Sequence, residues 1–82
     1  MEIEGFLKIK FRDGKHIRQE GICKIRDVFD KKEIISVDIE GKADFINLKA
    51  RIINLCGEFK GNEIVGKNIF IDGVSSPHQQ IL

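Results

Sequence analysis

The residues able to do chemistry are few and scattered in this chain of 82 residues. Cys23, Cys56, His16 and His78 are the side chains suited to hold a metal or to form a thiolate–imidazole pair. A tetrahedral zinc site is normally built from ligands two to four residues apart, and none of these four has such a neighbour. The acidic residues Glu2, Glu4, Asp38 and Glu40 alternate with apolar ones, which aims them at solvent rather than at each other across a cleft. Phosphate-binding glycine loops, a nucleophile elbow and the His-Glu-x-x-His metal motif do not occur. The expectation is a protein that is not an enzyme and uses no cofactor and no metal. Both cysteines flank apolar positions and are expected as free, buried thiols.

A second chemistry is electrostatic. Lys8, Lys10, Arg12, Lys15 and Arg18 crowd one stretch of chain opposed by Asp13 alone, with Phe6 just before them. A cationic groove beside an aromatic ring is how single-stranded nucleic acid is held, since bases stack on the ring and phosphates meet the charges. Phe6, Lys8, Lys10, Arg12, Lys15 and Arg18 are therefore the candidate binding residues. Against that reading, 14 basic residues face 13 acidic ones, for a net charge of +1. Strong nucleic-acid binders carry a clear basic excess. The same charges serve as the wet face of a strand, and nucleic acid is not the favoured partner.

These residues lie on elements that read as strands. Ile3, Gly5, Leu7, Ile9 and Phe11 alternate with polar residues over the first segment. Asp13-Gly14 follows and predicts a hairpin closed by a type I′ turn, with residues 2–12 pairing to 15–25. Parity shifts between Ile17 and Ile22, which places a bulge at Gly21. Residues 27–33 read as a charged turn around Asp30-Lys31-Lys32. Ile35, Val37 and Ile39 alternate in a further strand that ends at Gly41. Residues 43–56 are ambiguous: strands with a corner are preferred, but Phe45, Leu48, Ile52 and Leu55 also fall on one helical face, so a helix over 44–56 is the alternative. After Gly57 the pattern is strand-like to Gly73.

Glycine recurs at the end of a tripeptide: Ile3-Glu4-Gly5, Gln19-Glu20-Gly21, Ile39-Glu40-Gly41, Leu55-Cys56-Gly57 and Ile71-Asp72-Gly73. The steps are 16, 20, 16 and 16 residues. Stacked β units have a fixed short period of this kind. A meander whose strands end at similar glycine turns would show it too, and is the narrowly preferred reading. Residues 57–73, from Gly57-Glu58-Phe59-Lys60-Gly61-Asn62-Glu63-Ile64 to Ile69-Phe70-Ile71-Asp72-Gly73, resemble one rung of the bactofilins. That family is polymer-forming and cytoskeletal, with right-handed β-helical cores. Residues 41–56 resemble the same rung more loosely, because Phe45 stands where glycine is expected, and the Asp13-Gly14 hairpin departs from it. Lys15-His16-Ile17, Gly21-Ile22, Ile25 and Phe29-Asp30 resemble the small β sporulation proteins of the YabP type. Neither resemblance carries a catalytic residue to this chain.

The fold expected is all-β: a small antiparallel sheet or barrel, or a short β-helical stack, with an N-terminal hairpin; α+β with one helix at 44–56 is the alternative. One domain spans 1–74, and 75–82 form a partly ordered tail. So short a chain buries only roughly 60–65% of its unfolded surface, and its thin core gains from a second copy. Self-association or structural assembly as a homo-oligomer is the function expected. The alternative is a small binding or inhibitory module, of the kind phages encode, that holds a protein, a nucleic acid or a small ligand. The opening residues lack a secretory h-region, and no apolar run nears the ~20 residues of a membrane span. With two isolated cysteines, this predicts a cytoplasmic protein with no membrane partner.

Overall fold

The computed structural model describes residues 1–24 and 34–81 and is all-β, with no helix among them. β1 (Glu2–Phe11) and β2 (His16–Lys24) form the expected hairpin, in unbroken register from Glu2 opposite Lys24 to Lys10 opposite His16. Then come β3 (Ile34–Asp44), β4 (Asn47–Lys49), β5 (Ile52–Lys60), β6 (Glu63–Gly66), β7 (Asn68–Ser75) and β8 (His78–Ile81). One sheet has the order β2-β1-β3-β5-β7, the other β4-β6-β8. β1 runs antiparallel to both its neighbours, whereas β3, β5 and β7 are parallel, as are β4, β6 and β8.

This is a coil, not a meander and not a barrel. Each turn climbs one strand in the large sheet, rounds a corner, and lays one strand in the small sheet. Val37 lies beside Ile53 and Ile53 beside Ile69, a spacing of 16 residues that is the period of the glycine tripeptides. The corners are tied in the same direction as the strands: Phe45 N–H donates to the Lys60 carbonyl at 3.0 Å, and Ala50 N–H to the Val65 carbonyl at 3.1 Å. Within the segment expected as a tail, His78–Ile81 pair with β6 in parallel.

The core lies between the two sheets and is apolar, with no buried polar or charged residue among the described ones. Leu7, Ile9, Val37, Ile53 and Ile64 are fully enclosed. Each such side chain contributes about 1.5–3 kcal/mol by leaving water. The helix considered for 44–56 does not form: a corner separates β4 from β5, so Leu48 and Ala50 enter the core from one side and Ile53 and Leu55 from the other. β-branched isoleucines favour this outcome.

Two local expectations are corrected. The hairpin closes through three residues, not two: Gly14 N–H donates to the Phe11 carbonyl and Phe11 N–H to the Lys15 carbonyl. Asp13 keeps a negative φ and its carboxylate accepts from Lys15 N–H at 3.0 Å, while Gly14 alone takes a positive φ of 91°. That is a type I turn closed by a glycine bulge, which the sequence Arg12-Asp13-Gly14 satisfies as well as a type I′ turn. There is no bulge at Gly21 either, since Ile22 points outward, 85% exposed, and parity never changes. Ile25 and the charged turn read at 27–33 lie outside the described residues, as do Phe29 and Asp30.

The glycines do more than end strands. Gly21, Gly5, Gly41, Gly57 and Gly73 stand side by side in one row across all five strands of the large sheet. Each occupies an inward-facing place with positive φ. At Gly57, φ is 131°, and a Cβ there would overlap the Gly41 carbonyl oxygen. Gly14 has open space around it, so a side chain there meets backbone strain only. Gly14→Ala is expected to cost about 1–2 kcal/mol. Gly57→Ala adds a backbone collision and is expected to cost more than about 3 kcal/mol. Urea unfolding of the two variants checks this; similar midpoints would contradict the role given to the row.

Candidate functional site

The outer face of the large sheet holds the candidate binding residues, and the register arranges them. Arg18 lies opposite Lys8, and Lys8 opposite Asp38; Glu20 lies opposite Phe6, and Phe6 opposite Glu40. Phe6, Lys8, Lys10 and Arg18 therefore share the outer surface of the hairpin, while Arg12 and Lys15 sit at its turn. All but Phe6 are exposed. The structure thus brings these residues to one hairpin, spread from the middle of β1 to the turn.

It also gives them neighbours of opposite charge. The Arg18 guanidinium lies over the Phe6 ring at 5.4 Å from its centre and reaches Glu20 at 3.8 Å. Phe6 is half-buried rather than open, with Glu20 and Glu40 flanking it. A nucleobase would have to displace Arg18 to stack there and would meet two carboxylates beside it. Lys24 pairs with Glu2 at 3.3 Å and Lys42 with Glu58 at 3.7 Å on the same face. Such exposed pairs contribute at most about 1 kcal/mol each, but they cancel the field that a polyanion would follow.

Cysteine and histidine do not converge. Cys23 faces inward on β2 and is half-buried, whereas Cys56 faces outward on β5 and is exposed. The expectation of two buried thiols fails outright for Cys56, because Leu55, not Cys56, takes the inward place of the alternation, and Cys23 is only half-buried. Among the described residues no group of three or more His, Cys, Asp or Glu is placed to hold a metal ion. The Asp38 carboxylate accepts from the Asn54 side-chain amide at 2.7 Å, one turn of the coil further on.

Apolar surface is left uncovered mainly on the last turn of the coil. Among the described residues five large apolar side chains are exposed, and Phe70, Val74 and Ile81 belong to the last turn of the coil, β7 and β8. Ile69 and Ile71 of β7 pack on the core from one side only and remain half-buried. Ile22 stands alone on β2, at the opposite edge of the same sheet. Once strand parity is known, the alternation shows Phe70 and Val74 pointing outward; the ambiguity between coil and meander hid that they lie at an edge. Shallow open depressions flank this surface, one of about 470 Å³ lined by Asp38, Asn54, Cys56, Phe70 and Asp72.

No family model, curated protein or solved structure matches the chain. Thiol accessibility gives a direct check on the strand parity. A thiol reagent is expected to label Cys56 fast and Cys23 slowly in the native protein, with the fast phase lost in Cys56→Ser. Two slow phases would contradict the outward placement of Cys56.

Proposed function

We propose that this protein is a non-enzymatic structural module that acts by self-association through the open edges of its coil. The observation that carries the reading is the final turn: β7 has no partner on its outer side among the described residues, yet it displays Phe70, Val74 and half-buried Ile69 and Ile71. Unpaired edges lined with apolar residues are templates for another strand, and natural proteins usually blunt them with lysine or proline. Residues 68–75 contain neither. Stacked repeats gain stability from each neighbour they add, because one unit cannot cover its own end. The resemblance of residues 57–73 to a bactofilin rung points the same way.

A partner of different sequence adding a strand to the same edge is the competing use of this geometry. The basic hairpin supports a nucleic-acid partner poorly, because Arg18 is paired with Glu20 over the Phe6 ring and carboxylates flank that ring on both sides. The absence of any catalytic constellation in the sequence supports action by contact rather than by chemistry. Among the described residues no helix is long and apolar enough to cross a membrane. Free thiols, one of them exposed, support a reducing cytoplasmic setting.

Sedimentation velocity from low to high micromolar concentration tests the proposal. A weight-average mass that grows with concentration is the expected result. A strictly monomeric particle throughout would overturn self-association and leave the edge to a foreign strand.

A further inference from the structure

The glycine row contains one glycine that the single chain does not account for. In β3, β5 and β7 the missing side chain is explained by the strand before: a Cβ at Gly41 would meet the Glu4 carbonyl oxygen of β1, one at Gly57 the Gly41 oxygen, and one at Gly73 the Gly57 oxygen. β2 runs parallel to these strands, because β2 and β3 are both antiparallel to β1. Gly21 sits in the same row with φ 97°, yet nothing lies within 4 Å of where its Cβ would be. β2 is the edge of the sheet, and that direction opens to its outer side. The backbone is set for a preceding strand that the described residues do not supply.

We infer that the missing strand is β7 of a second copy, so that copies join head to tail with Gly73 of one beside Gly21 of the next. This rests on the self-association reading and specifies its geometry. β7 is the other edge of the same sheet and runs in the direction of β2, so the junction continues the parallel order already present within the chain. The glycine register then decides every other pair. Val74 meets Ile22, which covers two of the most exposed apolar side chains, at 71% and 85%. Phe70 meets Arg18, whose guanidinium already lies over Phe6. On the inner side Ile69 meets Ile17, continuing the row Ile9, Val37, Ile53. Ser75, whose buried hydroxyl has no hydrogen-bond partner among the described residues, comes beside the Cys23 thiol. Two pairings are unfavourable: on the inner side Ile71 faces Gln19, and on the outer side Asp72 faces Glu20, with Arg18, 3.8 Å from Glu20 on the same strand, diagonal to Asp72.

A two-fold arrangement pairs like edges and leaves the slot at Gly21 either unused or filled by an antiparallel strand. Joining unlike edges is a heterologous contact, and it repeats without closing unless the rotation per copy forms a ring.

Two surface variants test the geometry, Ile22→Asp on the β2 edge and Val74→Asp on the β7 edge. Both positions are exposed, so each variant is expected to keep the wild-type circular dichroism and, at concentrations too low for assembly, the wild-type melting profile. Each alone is expected to need roughly tenfold or more protein than wild type to assemble, since its one damaged edge spoils every junction. Mixed in equal amounts, they are expected to form a particle of two chains, because each supplies the intact edge the other lacks. If wild type assembles but only one variant is impaired, like edges pair and the head-to-tail junction is wrong while self-association stands. If wild type assembles and both variants assemble as well as it does, the junction lies elsewhere and the inference is again overturned. A monomeric wild type removes both.

Discussion

Backbone against backbone at the glycine row is the contact on which the rest of this structure depends. Five inward-facing residues without side chains let neighbouring strands approach at one level of the sheet, with positive φ at each. Register follows from that, because a slip of one residue would bring a side chain to a place that holds only a carbonyl oxygen. Register in turn stacks Ile9, Val37 and Ile53 in one inner row and Leu7, Ile39 and Leu55 in the next. The core of this small domain is a set of short aliphatic ladders rather than a cluster around large aromatic residues. Phe11, Phe45 and Phe59 are the bulky exceptions, and Gly61 lies against the Phe45 ring.

The outer face obeys the same register with a different outcome. Some rows one side chain away from the core alternate in charge, as in Glu4, Lys42 and Glu58, or Lys8 and Asp38, while the row through Glu20, Phe6, Glu40 and Asp72 is acidic. Such a surface is polar and wet. It is well suited to keep the broad face of the sheet from associating, and it confines stickiness to the strand edges. The hairpin plays two parts here. It closes the lower end of the parallel coil by antiparallel pairing of β1 with β3, and it presents β2, turned back into the parallel direction, as a new edge.

How much of this was legible in the sequence depends on whether a feature is local. The period of the glycine tripeptides was plain in the one-dimensional order, as were the alternation of β1 and the turn near Asp13-Gly14. What the period meant was not, because a meander with regular turns and a coil with regular rungs place glycine at the same intervals. The helical spacing of Phe45, Leu48, Ile52 and Leu55 misled for a related reason: residues on two strands either side of a corner mimic one helical face. Gly21 read as a bulge because Ile22 was assumed to be inward, whereas the unbroken register turns it outward. Cys56 was misplaced because an apolar neighbourhood in sequence says nothing of which side of a strand a residue occupies. The candidate basic residues do lie together on the hairpin, and the carboxylate that pairs with Arg18, Glu20, stands two residues along the same strand; only the register neighbours Asp38 and Glu40 come from β3, far away in the chain.

Hydrogen exchange followed as a function of protein concentration tests the account most directly. If unlike edges join through the glycine row, amides of residues 16–24 and 68–75 gain protection together as concentration rises, while those of β1 and β5, already paired on both sides, do not change. Protection of one edge without the other, or an exchange pattern independent of concentration, would contradict it.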